Sequence, residues 1–306
     1  MNALSPEQAA QAIQTICTKY AALALPAALA DERACPDNVE GAVRQACLRL
    51  GFVPIDADCL AAAWQRQTAR TGQFNPRAWP SDPQDFGMAP WPRTNAFAPC
   101  PQHLGLYAVL PDAAWVGRMA RAGVPTLQLR FKSDDESAIK REVTAAVQSV
   151  QDTGSLLFIN DHWQAAIDAG AYGVHLGQED IEALRPHEVQ ALRDAGLRLG
   201  LSTHGYAEMM RADRHSPSYL ALGAVFPTTL KRMATAAQGT GRLQAYAQLM
   251  QAYPLVAIGG IDPSRMPEVL ASAVGSVAVV RAIIGADHPE QAARELSEQI
   301  ASRLRI

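Results

Sequence analysis

Arg130 and Lys132 stand two residues apart behind Gln128, at the end of an aliphatic run. On an extended segment that spacing turns all three side chains to one side. Two fixed cations beside an amide suit a diphosphate, which Arg can grip through two parallel hydrogen bonds; a merely solvated strand end is the competing reading. Asp161 and Asp180, separated by 180 − 161 = 19 residues, follow two further runs. With no cysteine near them, their oxygen chemistry points to Mg²⁺, which is commonly held by one or two carboxylates together with phosphate oxygens and water. A helix N-cap is the alternative role for each Asp. Gly259 and Gly260 would let backbone N–H groups approach a phosphate, and a helix starting near Pro263 would add its dipole. Ser202, Thr228 and Lys231 fall between these two anion sites, and Arg281 follows the last run. His175 lies inside a run, as a ligand contact or as a satisfied core histidine, and His204, just after Ser202, is the stronger polar candidate. No GxSxG, HExxH or P-loop string occurs.

These residues need a scaffold that brings the ends of many runs together. From residue 104 onward, short β-branched or aliphatic runs alternate with alanine-rich segments of helical period: 106–110, 126–129, 155–159, 172–176, 197–201, 219–222, 255–258 and 277–280. Strands alternating with helices imply parallel pairing, and eight such units in roughly 200 residues suit a closed (β/α)8 TIM barrel better than an open sheet. An open doubly wound sheet would carry a Gly-rich fingerprint after its first strand, where Leu110-Pro111-Asp112 stands instead. In a barrel the polar residues that follow each run converge on one rim, and the end of the seventh run with that of the eighth forms the usual phosphate site.

Before the barrel, residues 1–72 form a small, mainly helical N-terminal module, with helices expected over 6–30, 39–50 and 57–71 and one strand over 52–55. Residues 73–103 are a Pro- and Trp-rich linker, whose Trp79 and Trp91 are either a docking strap or plainly packed aromatics. The module is open to several roles: a remnant of a fused partner, a dimerisation element that would make a homo-oligomer, or a lid. Apolar residues at 48% and charged residues at 19% describe an ordinary globular chain. A net charge of −3 without a Lys/Arg run excludes a sequence-independent grip on nucleic acid. Without a leader or a long apolar stretch, the expectation is a cytoplasmic protein that makes no use of a membrane. The cysteines, Cys17, Cys35, Cys47, Cys59 and Cys100, show no ligand spacing and read as reduced thiols.

Several strings resemble the thiamine phosphate synthase family in order and spacing: Gln128-Leu129-Arg130-Phe131-Lys132, Ile159-Asn160-Asp161, Gly173-Val174-His175-Leu176-Gly177-Gln178-Glu179-Asp180, Ser202-Thr203-His204, Phe226-Pro227-Thr228 and Ile258-Gly259-Gly260-Ile261. The resemblance spans residues 105–284. It implies that Gln128, Leu129, Arg130, Phe131, Lys132, Asn160, Ser202 and Lys231 bind a pyrimidine diphosphate. Asp161 and Asp180 would hold Mg²⁺, while Thr228, Thr229, Leu230, Gly260, Val280 and Arg281 surround a thiazole phosphate. Arg130, Lys132, Ser202 and Lys231 are the implied catalytic residues of a dissociative reaction: diphosphate leaves first, and the thiazole nitrogen captures the methylene cation. Three features depart from the family pattern. Leu230 stands where a Thr is usual, Arg281 where Ser is frequent, and Arg232-Met233-Ala234 where an acidic residue is common. The alternatives are a thiazole tautomerase-like relative, which does not need the two Asp residues, and a regulator that binds thiamine precursors without turnover.

Overall fold

A computed structural model describes residues 3–25, 37–228 and 235–304. Three helices come first: α1 (Pro6–Lys19), α2 (Val39–Arg49) and α3 (Pro54–Thr71). Ser5 starts α1 with a capping box, its hydroxyl accepting from Gln8 N–H while the Gln8 side chain accepts from Ser5 N–H. The helix expected over 6–30 ends at Lys19 and is followed by a single 3-10 turn, Ala21–Leu23; residues 26–30 lie outside the described residues. The strand expected over 52–55 does not form. Pro54 suits a first helical position, where its fixed φ fits and its missing N–H is not needed, so α3 begins there and Phe52 becomes a buried side chain of the connection.

The first half of the barrel runs β1 (Gly105–Leu110), α4 (Ala113–Arg121), β2 (Thr126–Leu129), α5 (Glu136–Ser149), β3 (Leu156–Asn160), α6 (Trp163–Ala169), β4 (Gly173–Leu176), α7 (Gln178–Ala183) and α8 (Pro186–Asp194). The second half runs β5 (Arg198–Thr203), α9 (Tyr206–Arg214), β6 (Tyr219–Leu222), α10 (Gly239–Leu249), β7 (Leu255–Ile258), α11 (Met266–Leu270), β8 (Ser276–Val279), α12 (Arg281–Ile284) and α13 (Pro289–Leu304). All strand pairs are parallel, and β8 returns to β1 to close the barrel. The helix expected near Pro263 starts later, at Met266, and has 5 residues.

Strand alternation divides the apolar residues into two layers. Leu127, Leu129, Leu199 and Leu201 belong to the outer core, under the helices. Tyr107, Phe158, Tyr219 and Val256 belong to the smaller core inside the barrel. Gly200 makes that inner core possible, because a Cβ there would overlap the Tyr219 ring.

The outer core continues without a break into the N-terminal helices, through Phe52, Leu60, Trp64 and Tyr206. Ahead of β1, the chain is bonded beside the amino-terminal end of β6: Phe97 N–H donates to Ser216 O at 3.0 Å, and Arg93 donates to Asp213 O and Oδ1, each at 2.8 Å. Cys17, Cys47, Cys59 and Cys100 are free thiols. No helix among the described residues is long and apolar enough to cross a membrane.

Candidate active site

The parallel strands carry the described candidate residues to one rim. Beyond β2, Arg130 N–H donates to Leu110 O at 2.8 Å, so the pairing with β1 persists to the point where the side chains leave the barrel. Lys132 Nζ reaches across to Asp161 Oδ2, beyond β3, at 2.8 Å. Asp161 holds a left-handed backbone, φ 64°, and its N–H donates to His175 O at 3.1 Å. This uncommon conformation for a non-glycine residue turns the carboxylate toward β2. Asp180, in the first turn of α7, is exposed and accepts from Gly177 N–H at 3.0 Å. It thus serves its helix terminus and keeps oxygen lone pairs for another partner. Among the described residues no group of three or more His, Cys, Asp or Glu converges. Two carboxylates rising from adjacent strands remain, a donor set that fits Mg²⁺ when phosphate oxygens and water complete the shell.

The other β2 residues divide by parity. Leu129 is fully buried in the outer core, so only its backbone belongs to the rim. Phe131 packs against the same core, and its carbonyl accepts from His162 Nε2 at 3.0 Å. Gln128 points inward and donates through Nε2 to Tyr107 OH at 3.0 Å. From there a hydrogen-bonded chain crosses the barrel interior: Tyr107 OH to Tyr219 OH at 2.7 Å, Tyr219 OH to His175 Nδ1 at 2.7 Å, and His175 Nε2 to Ser202 Oγ at 2.8 Å. With Gln128 donating at one end, each hydrogen finds an acceptor if every group passes its own onward, which puts the imidazole proton on Nε2. Burial raises both tyrosine hydroxyls well above their ordinary range, so both tyrosines stay uncharged. Gln128 on β2 and Ser202 on β5 are thereby tied to one another through the barrel interior. Asn160 closes β3 and is buried.

From β6 to β8 the rim is shaped by backbone. Gly259 and Gly260 have φ 106° and 62°. Val225 N–H donates to Ile258 O and Phe226 N–H to Gly259 O, each at 2.9 Å, so the loop after β6 lies against the turn after β7. A Cβ on Gly260 would meet Pro227 O at 2.6 Å. Thr228 is half-buried in that loop, while Thr229, Leu230 and Lys231 lie outside the described residues. Val280 precedes α12 and packs on the inner core, and Arg281 begins the helix as an exposed residue.

Sequence reasoning missed the supports behind this rim. Tyr107 and Tyr219 read as strand residues; their signal is that they share the inward parity of Gln128 and His175. On α9, Glu208 accepts from the His204 ring at 2.6 Å and from His204 N–H at 2.9 Å. Burial opposes ionisation of Glu208, but the His204 bonds and Arg211 hold its carboxyl below the usual range. Arg211 donates to Gln178 Oε1 at 3.3 Å, and Gln178 Nε2 donates to Ser202 O at 2.8 Å.

This barrel has recognisable relatives. A family model described as thiamine monophosphate synthase matches residues 106–283. The thiamine-phosphate synthase of Neisseria meningitidis serogroup B is 50% identical over 194 residues, which cover 63% of this chain and 93% of the relative. That of Yersinia pestis (strain Pestoides F) is 45% identical over 210 residues, 69% of this chain and 96% of the relative. Among solved structures, thiamine phosphate pyrophosphorylase from Pyrococcus furiosus matches with a TM-score of 0.56 at 27% identity, covering 66% of this chain and 97% of that one.

Proposed function

Since the chain belongs to the thiamine monophosphate synthase family and is a transferase, we propose that it joins 4-amino-2-methyl-5-pyrimidinylmethyl diphosphate to a thiazole phosphate, releasing diphosphate and thiamine phosphate. The methylene C–O bond breaks with its electron pair staying on the diphosphate, the electron-rich aminopyrimidine stabilises the resulting cation, and the thiazole nitrogen lone pair forms the new C–N bond. No proton changes place in these steps, so no strong protein base is required.

Arg130, Lys132 and Lys231 meet negative charge that grows as the diphosphate leaves, an interaction stronger in the transition state than in the ground state. Ser202, whose Oγ accepts from His175, has its hydroxyl hydrogen for a diphosphate oxygen, and Asn160 stands one strand away. Gln128 and the main chain of Leu129 and Phe131 form the pyrimidine side. Thr228, Thr229, Leu230, Gly260, Val280 and Arg281 form the thiazole phosphate side, where Arg281 gives a charged contact. Asp161 and Asp180 are the residues that would hold Mg²⁺, and the ion when bound neutralises part of the diphosphate charge.

The observation that supports this reading is the 2.8 Å contact of Lys132 with Asp161, which joins two charged side chains from beyond adjacent strands on the rim. The test is product formation by the purified protein from both phosphorylated precursors, with and without Mg²⁺ and beside Asp161→Ala. Mg²⁺-dependent thiamine phosphate from the parent, lost by on the order of 10²-fold or more in Asp161→Ala, is expected. Folded protein that binds the thiazole phosphate and forms no product would sink the reading in favour of a tautomerase-like or regulatory role.

A further inference from the structure

We propose that the helical module outside the family match is a working part of the site, with Asp56 as a positioning residue that caps α9 and so holds the rim segment carrying Ser202 and His204. The N-cap position of α9 is Gly205, which has no side chain to cap with. Asp56, on α3, takes over the role: its Oδ1 accepts from Ala207 N–H at 2.8 Å, the donor an N-cap side chain would ordinarily satisfy. The substitution is also spatial, because a Cβ on Gly205 would overlap Asp56 Oδ2. The carboxylate sits where the missing side chain would be.

The next residue anchors the same turn. Tyr206 is 1% exposed and stacks on Phe86 at 5.5 Å, and its hydroxyl accepts from Trp79 Nε1 at 2.9 Å. From that anchored turn two links lead to the rim. Glu208 holds His204 through backbone and ring, and Arg211 holds Gln178, which in turn donates to Ser202 O. Asp56 touches neither substrate nor reacting atoms; it acts through α9. Both links end on residues of the diphosphate half of the rim, so a slack α9 would misplace groups whose value depends on position.

The kinetic part of the test rests on the synthase reading, whereas amide exchange over residues 202–208 does not. Full-length Asp56→Ala is compared with Asp56→Asn, which keeps an acceptor, and with Asp56→Ala/Gly205→Ser. In the double variant, Gly205, extended at φ 178°, gains a hydroxyl of its own in the vacated space. Expected for Asp56→Ala are faster exchange over 202–208 and a kcat lower by on the order of tenfold with KM values moving less. Both recover most of the way in Asp56→Asn and in the double variant. Parental exchange in Asp56→Ala, or no recovery on adding Gly205→Ser, would overturn the proposal. Should Asp56→Ala fail to fold, restoration of folded protein by Gly205→Ser supports it and failure of that restoration overturns it. A parent without turnover speaks against the synthase reading alone, and exchange still decides this one.

Discussion

The two halves of the barrel rim are built by different means. Between β2 and β5 the groups at the mouth are side chains, tied to one another by the Lys132–Asp161 pair and by the chain from Gln128 through Tyr107, Tyr219 and His175 to Ser202. Between β6 and β8 the mouth is shaped by main chain, with Gly259 and Gly260 in left-handed conformations under the loop of Val225 and Phe226. A half made of charges should be sensitive to the loss of a functional group and tolerant of small changes of volume. A half made of backbone should behave in the opposite way.

The largest effect tests the charged half. Removing a cation from it, by Lys132→Ala or Arg130→Ala, should lower kcat by about 10²-fold or more, because the lost contact strengthens as the leaving group gains charge. Steady-state kinetics of the folded variants measure it. Equal losses in kcat and in kcat/KM would place the contact in the transition state, and a rise in KM with kcat unchanged would contradict this account of the charged half.

Gly260→Ala removes no functional group and adds one methyl. The backbone there has φ 62°, and the new Cβ would meet Pro227 O at 2.6 Å and Phe226 Cβ at 2.9 Å. The left-handed conformation alone costs a non-glycine residue about 1 to 2 kcal/mol, and the loop must also move. The KM for the thiazole phosphate should rise by roughly tenfold, with a smaller change for the pyrimidine diphosphate. Equal changes for the two substrates would break the comparison.

The halves also differed in how they could be read from sequence. The eight apolar runs were legible because a barrel strand is buried on both faces, so hydrophobicity marks it whatever its neighbours are, and every run lies within about two residues of an observed strand end. The rim position of Arg130, Lys132 and Asp161 was legible because each follows the end of such a run, and the Lys132–Asp161 contact joins two of them. The interior polar chain was not, since a Tyr in a strand resembles any aromatic core residue until the fold shows that Tyr107 and Tyr219 meet. Asp56 carried less signal still: it is an acid in the first turn of a helix, and its partner, Ala207, lies 151 residues away. The expected strand over 52–55 failed for a local reason, the preference of Pro54 for a helix start.

Tyr219→Phe cuts the chain between the two ends of the charged half without touching a charge. It leaves the Tyr107 hydroxyl and His175 Nδ1 each short of a buried partner, which should cost about 1 to 3 kcal/mol of stability. Denaturant titration would read that cost, and kcat should fall only several-fold, because Gln128 and Ser202 stay in place on their own strands. A loss in kcat as large as that of Lys132→Ala would mean that the chain, rather than the charges, organises this half.

The smallest effect concerns the remote support of the same half. Burial pushes Asp56 up to about 6 from the ordinary 3.8, against the pull of the Ala207 N–H and of Arg242 on α10; on α9, Glu208 raises it further and Arg211 lowers it. The folded state therefore holds a proton that the unfolded chain has already released between those two values. Stability from this group is greatest below pH 4, falls as the pH rises through that window, and is at its lowest above pH 6. In Asp56→Asn the acceptor for Ala207 remains and the titration is gone. The stability of this variant relative to the parent should therefore improve by roughly 1 kcal/mol between pH 5 and pH 7, seen as a melting-temperature difference that shifts by about 2 °C. A difference that stays constant over that range would show Asp56 ionised throughout, its desolvation offset by the helix N-terminus it caps.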